Sequence, residues 1–342
     1  MIPVLFAIAA AAAAHTAFLP WLPGLVVAGL DGQRAGNHQV HVALLSATFP
    51  LGGMLTAPLW GWISDRYSYR ALLVMAVAGL AIATALSGST SLTVLYLLRL
   101  LAGVSCGAIV PLCLLVGKMA ASGQDDRARI FTILTASLFM GDFAGPLLSV
   151  ASARLFPQMP LLYFGIGVGA VAIAVALVRT PVHYWQSAPL PGNSPRDSKG
   201  FVPILLGLGI AGTAGLSVVH LSLTLHQPEA LPGREQVALM LSLCGLAMLG
   251  AQALHVKTGW LVTRPATLTA AMLILLGVAL WLLAFAWLGQ AIAISVFAAG
   301  WSAATLRLVA SFWISAPRHH SGVRLGIQHG VASVGQVGVP LA

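Results

Sequence analysis

This sequence is short of charge, and shortest of acid. Asp, Glu, Lys and Arg make up 7% of its 342 residues, and only 8 residues are acidic. An ordinary soluble domain carries about 25% charged residues, because an apolar core needs a charged exterior around it. With 58% apolar residues and a mean hydropathy of +0.92, no such exterior can be built. A soluble globular fold is excluded, and the surrounding medium is mostly lipid. Cysteine is nearly lacking too. Cys106, Cys113 and Cys244 fall in apolar runs without CxxC spacing, so neither a disulfide framework nor a metal site is expected. No basic run interleaves with aromatics, so the net charge of +9 does not indicate nucleic acid.

What is present is apolar length. A helix needs about 20 mostly apolar residues to cross the hydrocarbon core. Eleven stretches qualify: 3–29, 39–63, 70–88, 91–118, 129–151, 160–179, 201–225, 236–256, 265–286, 288–312 and 323–342. Unpaired backbone groups are too costly in lipid for open sheets or loops, so the expected fold is all-α and polytopic. The first stretch lacks a basic leader segment and is longer than a signal core, which makes it a spanning helix.

Basic residues in short loops mark the cytoplasmic side. With the N-terminus inside, twelve lie on that side: Arg66, Arg70, Lys118, Arg127, Arg129, Arg179, Arg196, Lys199, Lys257, Arg264, Arg318 and Arg324. Arg34, Arg154 and Arg234 alone lie opposite, and Arg99 and Arg307 remain inside spans. A cytoplasmic N-terminus in a multi-pass inner-membrane protein follows. The longest polar stretch, rich in Pro and Ser, divides the chain into a six-helix bundle (1–180), a cytoplasmic linker (181–200) and a second bundle of five spans (201–342).

Three local patterns carry more than hydropathy. The loop after the second stretch holds Gly61, Asp65, Arg66 and Arg70, a compact charged turn at the membrane surface. The fourth stretch runs Arg99, Gly103, Gly107 at four-residue spacing, and an arginine inside a span is costly enough to suggest function. Snorkelling of Arg99 to the outer surface is the competing reading. The fifth stretch ends Gly141, Asp142, Gly145, Pro146.

Together these patterns resemble the major facilitator superfamily, and within it the twelve-helix drug:proton antiporters. That family has a Gly and an Asp-Arg pair in the loop after helix 2, an Arg followed by glycines in helix 4, and a Gly-rich turn ending in Gly-Pro in helix 5. Here Ser68 stands in place of the loop's second Gly, and Ser149 and Val150 replace the terminal glycines of helix 5. The resemblance implies two pseudo-symmetric bundles, the second lacking its last helix. It implies a conformational latch at Gly61, Asp65, Arg66 and Arg70, with Asp65 facing the end of span 11 near Arg324 and Gly326, and proton coupling through Arg99. The protein is expected to be a monomer without a cofactor.

Asp142 is the one acid inside any span. A carboxyl in low dielectric disfavours its charged form, which suits it to load and release a proton. The competing reading pairs it with an arginine such as Arg99. An internal repeat sets Pro146 over Pro340, which also aligns Gly141 with Gly335 and Asp142 with Gln336. His15 and His220 lie near the middle of spans 1 and 7, which the resemblance sets facing each other across a central cavity; with Arg307 and Gln336 they are candidates for that cavity, and a hydrogen bond between helices is the competing reading of each histidine. His38, His41, His319 and His320 read as loop residues without acid or cysteine partners, so no metal site is expected. Trp21, Trp60 and Phe139 are candidates either for apolar substrate contact or for packing.

The leading functional reading is proton-coupled efflux of a small organic or drug-like solute by alternating access, with the lipid bilayer and protons as the other partners. One alternative is uptake of an anionic nutrient held between Arg99 and Arg307, and another is a truncated product that does not transport. Catalysis is not expected, since no Ser or Cys is paired with His in a motif.

Overall fold

A computed structural model describes residues 1–29, 36–87, 91–155, 160–179, 202–225, 233–285, 289–315 and 321–341. All regular structure among these residues is helical. The first bundle comprises α1 (Ile2–Thr16) and α2 (Leu22–Gly29), joined by a 3-10 turn at Leu19–Trp21, then α3 (Gly36–Ser64), α4 (Tyr69–Ala85), α5 (Leu92–Ala120), α6 (Gln124–Leu155) and α7 (Pro160–Arg179). The second comprises α8 (Val202–Leu225), α9 (Arg234–Thr258), the short α10 (Trp260–Thr263), α11 (Pro265–Phe285), α12 (Gly289–Ile314) and α13 (Ser321–Leu341). The expected linker, 181–200, lies outside the described residues.

Each expected span therefore has its helix, the first one broken. Pro20 and Pro23 lack the backbone donors that would continue α1 into α2, and the chain tightens to a 3-10 turn there. Eight helical stretches are long and apolar enough to cross a membrane among the described residues, and α4 is a shorter apolar helix. Their burial sorts them by position. In α5 83% of the most apolar window is buried inside the protein, against 17% in α11. The former is central, whereas the latter turns Ile274, Trp281 and Phe285 outward, as a helix facing lipid tails would.

The contacts repeat. Helix α1 packs on α6 and α8 on α13; α3 packs on α5 and α9 on α12; α4 packs on α5 and α11 on α12. The internal repeat shows at atomic level in the first of these pairs. A Cβ at Gly141 would collide with the Ala9 carbonyl and approach Ala13 N. At Gly335 it would meet the Ile210 carbonyl and Ala214 N in the same way. The absence of a side chain lets both helix pairs approach at backbone distance. Two further pairs, α3 with α13 and α6 with α9, join the bundles to each other and exchange places under the repeat.

Candidate functional site

One end of the molecule is closed by the charged loop after α3. Asp65 Oδ1 accepts the Gly322 backbone N–H at 3.1 Å, and Oδ2 accepts that of Val323 at 3.4 Å. A carboxylate thus caps the exposed amides of the first turn of α13, where the helix dipole favours negative charge. The close approach is steric as well. A Cβ at Gly61 would strike the Gly322 carbonyl, and one at Gly326 would strike the Ala57 carbonyl. Arg66 instead folds back over Trp62 in the last turn of α3 at 3.8 Å, and Arg70 lies on the first turn of α4. Lys118 Nζ donates to Ser321 Oγ, and Arg127 lies 4.4 Å over the Phe312 ring, adding contacts from α5 and α6 at the same end.

Asp65→Ala removes both acceptors. Loss of such a cap costs about 1–2 kcal/mol, roughly a 5- to 30-fold shift toward opening at this end. A Ser333→Cys reporter inside should be alkylated faster from the Asp65 side by that factor. Asp65→Asn, which keeps one acceptor oxygen, should fall between.

The opposite end is packed differently. Phe18, Leu22, Val26, Val42, Leu45 and Leu95 form an apolar cluster, against which Leu225 of the second bundle packs. His41 Nδ1 and the Tyr96 hydroxyl are hydrogen-bonded beside it at 3.0 Å. His38 and His41 sit inside α3 and not in a loop, because the helix continues past its apolar stretch into polar sequence. His319 and His320 lie outside the described residues.

Between these two ends lies a cavity walled by both bundles. It collects His15 from α1, Phe49 from α3, Asp142 from α6, His220 from α8, Arg307 from α12, and His329, Ser333 and Gln336 from α13. A second, smaller space shares Arg307, His329 and Gln336 with it and extends toward Ser311 and Gln328. Five candidates taken from the sequence, His15, Asp142, His220, Arg307 and Gln336, are thus brought together. Asp142 and Arg307, from opposite bundles, lie within electrostatic reach of one another. Phe139 is buried with Arg307 over its ring at 5.7 Å.

Arg99 is elsewhere. It is 2% exposed, with Phe18 at 4.4 Å and Phe49 at 4.9 Å from its guanidinium carbon, and Nη2 reaches His15 Nδ1 at 3.1 Å. It neither snorkels outward nor shares a cavity wall with Asp142. Gly103 explains the placement, since a Cβ there would collide with the Phe49 carbonyl. Helices α3 and α5 therefore touch at the backbone and bring Phe49 beside Arg99. Of the other helix-5 residues, Gly141 and Gly145 face α1, and Pro146 lies within α6. Trp60 Nε1 donates to the Val104 carbonyl and Trp21 is buried, so both serve packing.

His329 escaped the reading of the sequence. It shares one face of α13 with Ser333 and Gln336 at helical spacing, and that spacing was the available signal. Gln252, 1% exposed on α9, also escaped; its Oε1 accepts the Thr135 hydroxyl of α6 at 3.0 Å across the bundles. Among the described residues no three His, Cys, Asp or Glu side chains cluster as metal ligands would.

Residues 4–340 match the family model described as Major Facilitator Superfamily. A triacylglyceride transporter of Mycobacteroides abscessus is 32% identical over 214 residues, covering 62% of this chain and 39% of that protein. A class C tetracycline resistance protein of Escherichia coli is 26% identical over 265 residues, covering 73% of this chain and 62% of its own length. The chain thus spans less than two thirds of either relative. In fold, the crystal structure of the human organic anion transporter MFSD10 (TETRAN) superposes with a TM-score of 0.79 at 17% identity, covering 99% of this chain and 91% of that one.

Proposed function

The chain belongs to the Major Facilitator Superfamily, and from that premise we propose that it exports a small organic solute by alternating access, exchanging it for protons at Asp142. The observation that carries this reading is the cavity between the bundles, with contacts between them toward either end and Asp142 as the one acid among the residues that line it. In alternating access two bundles rock about a midplane site. Opening this cavity to one side requires breaking either the Asp65 closure or the apolar one. The Asp65 end is cytoplasmic by the distribution of basic loop residues, and the protein works as a monomer. Export, and not merely movement, is supported by relatives that include tetracycline resistance proteins.

A second reading, uptake of an anionic solute, is favoured by Arg307, whose guanidinium shares the cavity wall. Arg99 is not part of that clamp, because it is turned to His15. Inverted vesicles carrying the protein decide between the two. Under export, an imposed pH gradient drives accumulation of an apolar dye. No dye movement, combined with proton-dependent uptake of an organic anion by whole cells, overturns export.

A further inference from the structure

The bond between Arg99 and His15 fixes a proton. A guanidinium has only donors and stays protonated in proteins, so His15 Nδ1, 3.1 Å from Arg99 Nη2, must accept. The ring is then neutral and carries its proton on Nε2. No partner engages Nε2 among the described residues, and the ring lines the cavity. Its plane is held as well, since Phe49 stacks on it at 4.2 Å between centroids and 20° between planes. Arg99 does not line the cavity itself.

We infer that His15 presents a fixed N–H to the transported solute and selects an acceptor oxygen, of a carbonyl or a carboxylate, joined to an apolar body, with Arg99 as the positioning residue. The apolar body has its own surface, because Phe49, Val110, Leu138 and Leu216 line the same space. The polar lining agrees with the head group. Arg307 offers donors only, and Asp142 is the one carboxylate present. The inference rests on the proposed function in taking this cavity as the solute site, and in nothing else.

The test is binding to the full chain in lipid nanodiscs, using 2-acetonaphthone beside 2-isopropenylnaphthalene, which matches its shape but lacks an acceptor. One net hydrogen bond is worth about a fivefold preference for the ketone. His15→Phe keeps the ring and loses the donor, so the two probes should bind equally. His15→Gln, whose amide nitrogen falls near the Nε2 position, should restore the preference. Nitrogen-15 NMR of the histidines should show Nε2–H with unprotonated Nδ1 in the parent and a mixture in Arg99→Met, which a merely structural arginine would not produce. A third probe, 2-naphthoate, separates the two acceptors. Binding tighter than the ketone that is lost in Arg307→Gln assigns a carboxylate, and equal binding assigns a carbonyl.

Failure to bind the ketone, a preference unchanged in His15→Phe, or an Nδ1–H tautomer overturns the inference. Solute movement in vesicles is measured alongside. Its absence with the preference intact defeats the transport reading alone, whereas movement with a preference indifferent to His15 defeats only this one.

Discussion

Gly326→Val should all but abolish transport while leaving the protein folded. A Cβ at residue 326 would strike the Ala57 carbonyl and crowd Gly61 Cα, and both are backbone atoms that no rotamer change can move aside. The collision exists only while α13 lies against α3, which is a contact between bundles, so each bundle can still fold. Overpacking costs about 1–3 kcal/mol, and displaced backbone puts this case at the upper end. The closed state at the Asp65 end then loses about 100-fold in population. Transport should drop by a similar factor, and Ser333→Cys should become open to alkylation from that side. Gly103→Val is the contrast. Its collision, with the Phe49 carbonyl, lies within the first bundle, so it should reduce the yield of folded protein instead. If Gly326→Val also fails to fold, or transports at the parent rate, closure of α3 on α13 is not a step of the transport cycle.

How much of this was visible in the sequence depends on how local each feature is. Span positions are local, since they follow from apolar length, and all eleven expected spans have helices within a few residues of their expected bounds. The break in the first span is local as well, at Pro20 and Pro23. Which way a polar side chain points along a helix is not. Arg99 lies near the end of its span, and snorkelling outward was as reasonable as turning inward until Gly103 brought Phe49 against it. Asp142 was seen as the lone intramembrane acid, but its neighbour Arg307 comes from the opposite bundle, and nothing in the spacing of residues 142 and 307 encodes that meeting. His329 was hidden because α13 is the most glycine-rich of the spans, and its face toward the cavity is defined only once α3 and α8 occupy its other sides.

Asp142→Asn should uncouple transport from protons without ending it. A pH gradient of one unit holds about 1.36 kcal/mol per proton, enough for about tenfold accumulation of a solute exchanged one for one. With asparagine in place no proton is carried at this position, so the accumulation ratio in vesicles should drop to about 1, while exchange of labelled for unlabelled solute continues. The competing explanation is structural. Arg307 faces the same space, and removing one member of a buried charge pair is costly because the other is left uncompensated, by about 3–5 kcal/mol. A double variant separates these. If Asp142 served only to compensate Arg307, Asp142→Asn combined with Arg307→Gln should restore accumulation, since neither charge remains. If Asp142 carries the proton, the double variant stays uncoupled however well it folds, and only Asp142→Glu retains accumulation. Coupling that survives in Asp142→Asn would remove the carboxyl from the mechanism and move the proton to the other histidines of the cavity, His220 and His329.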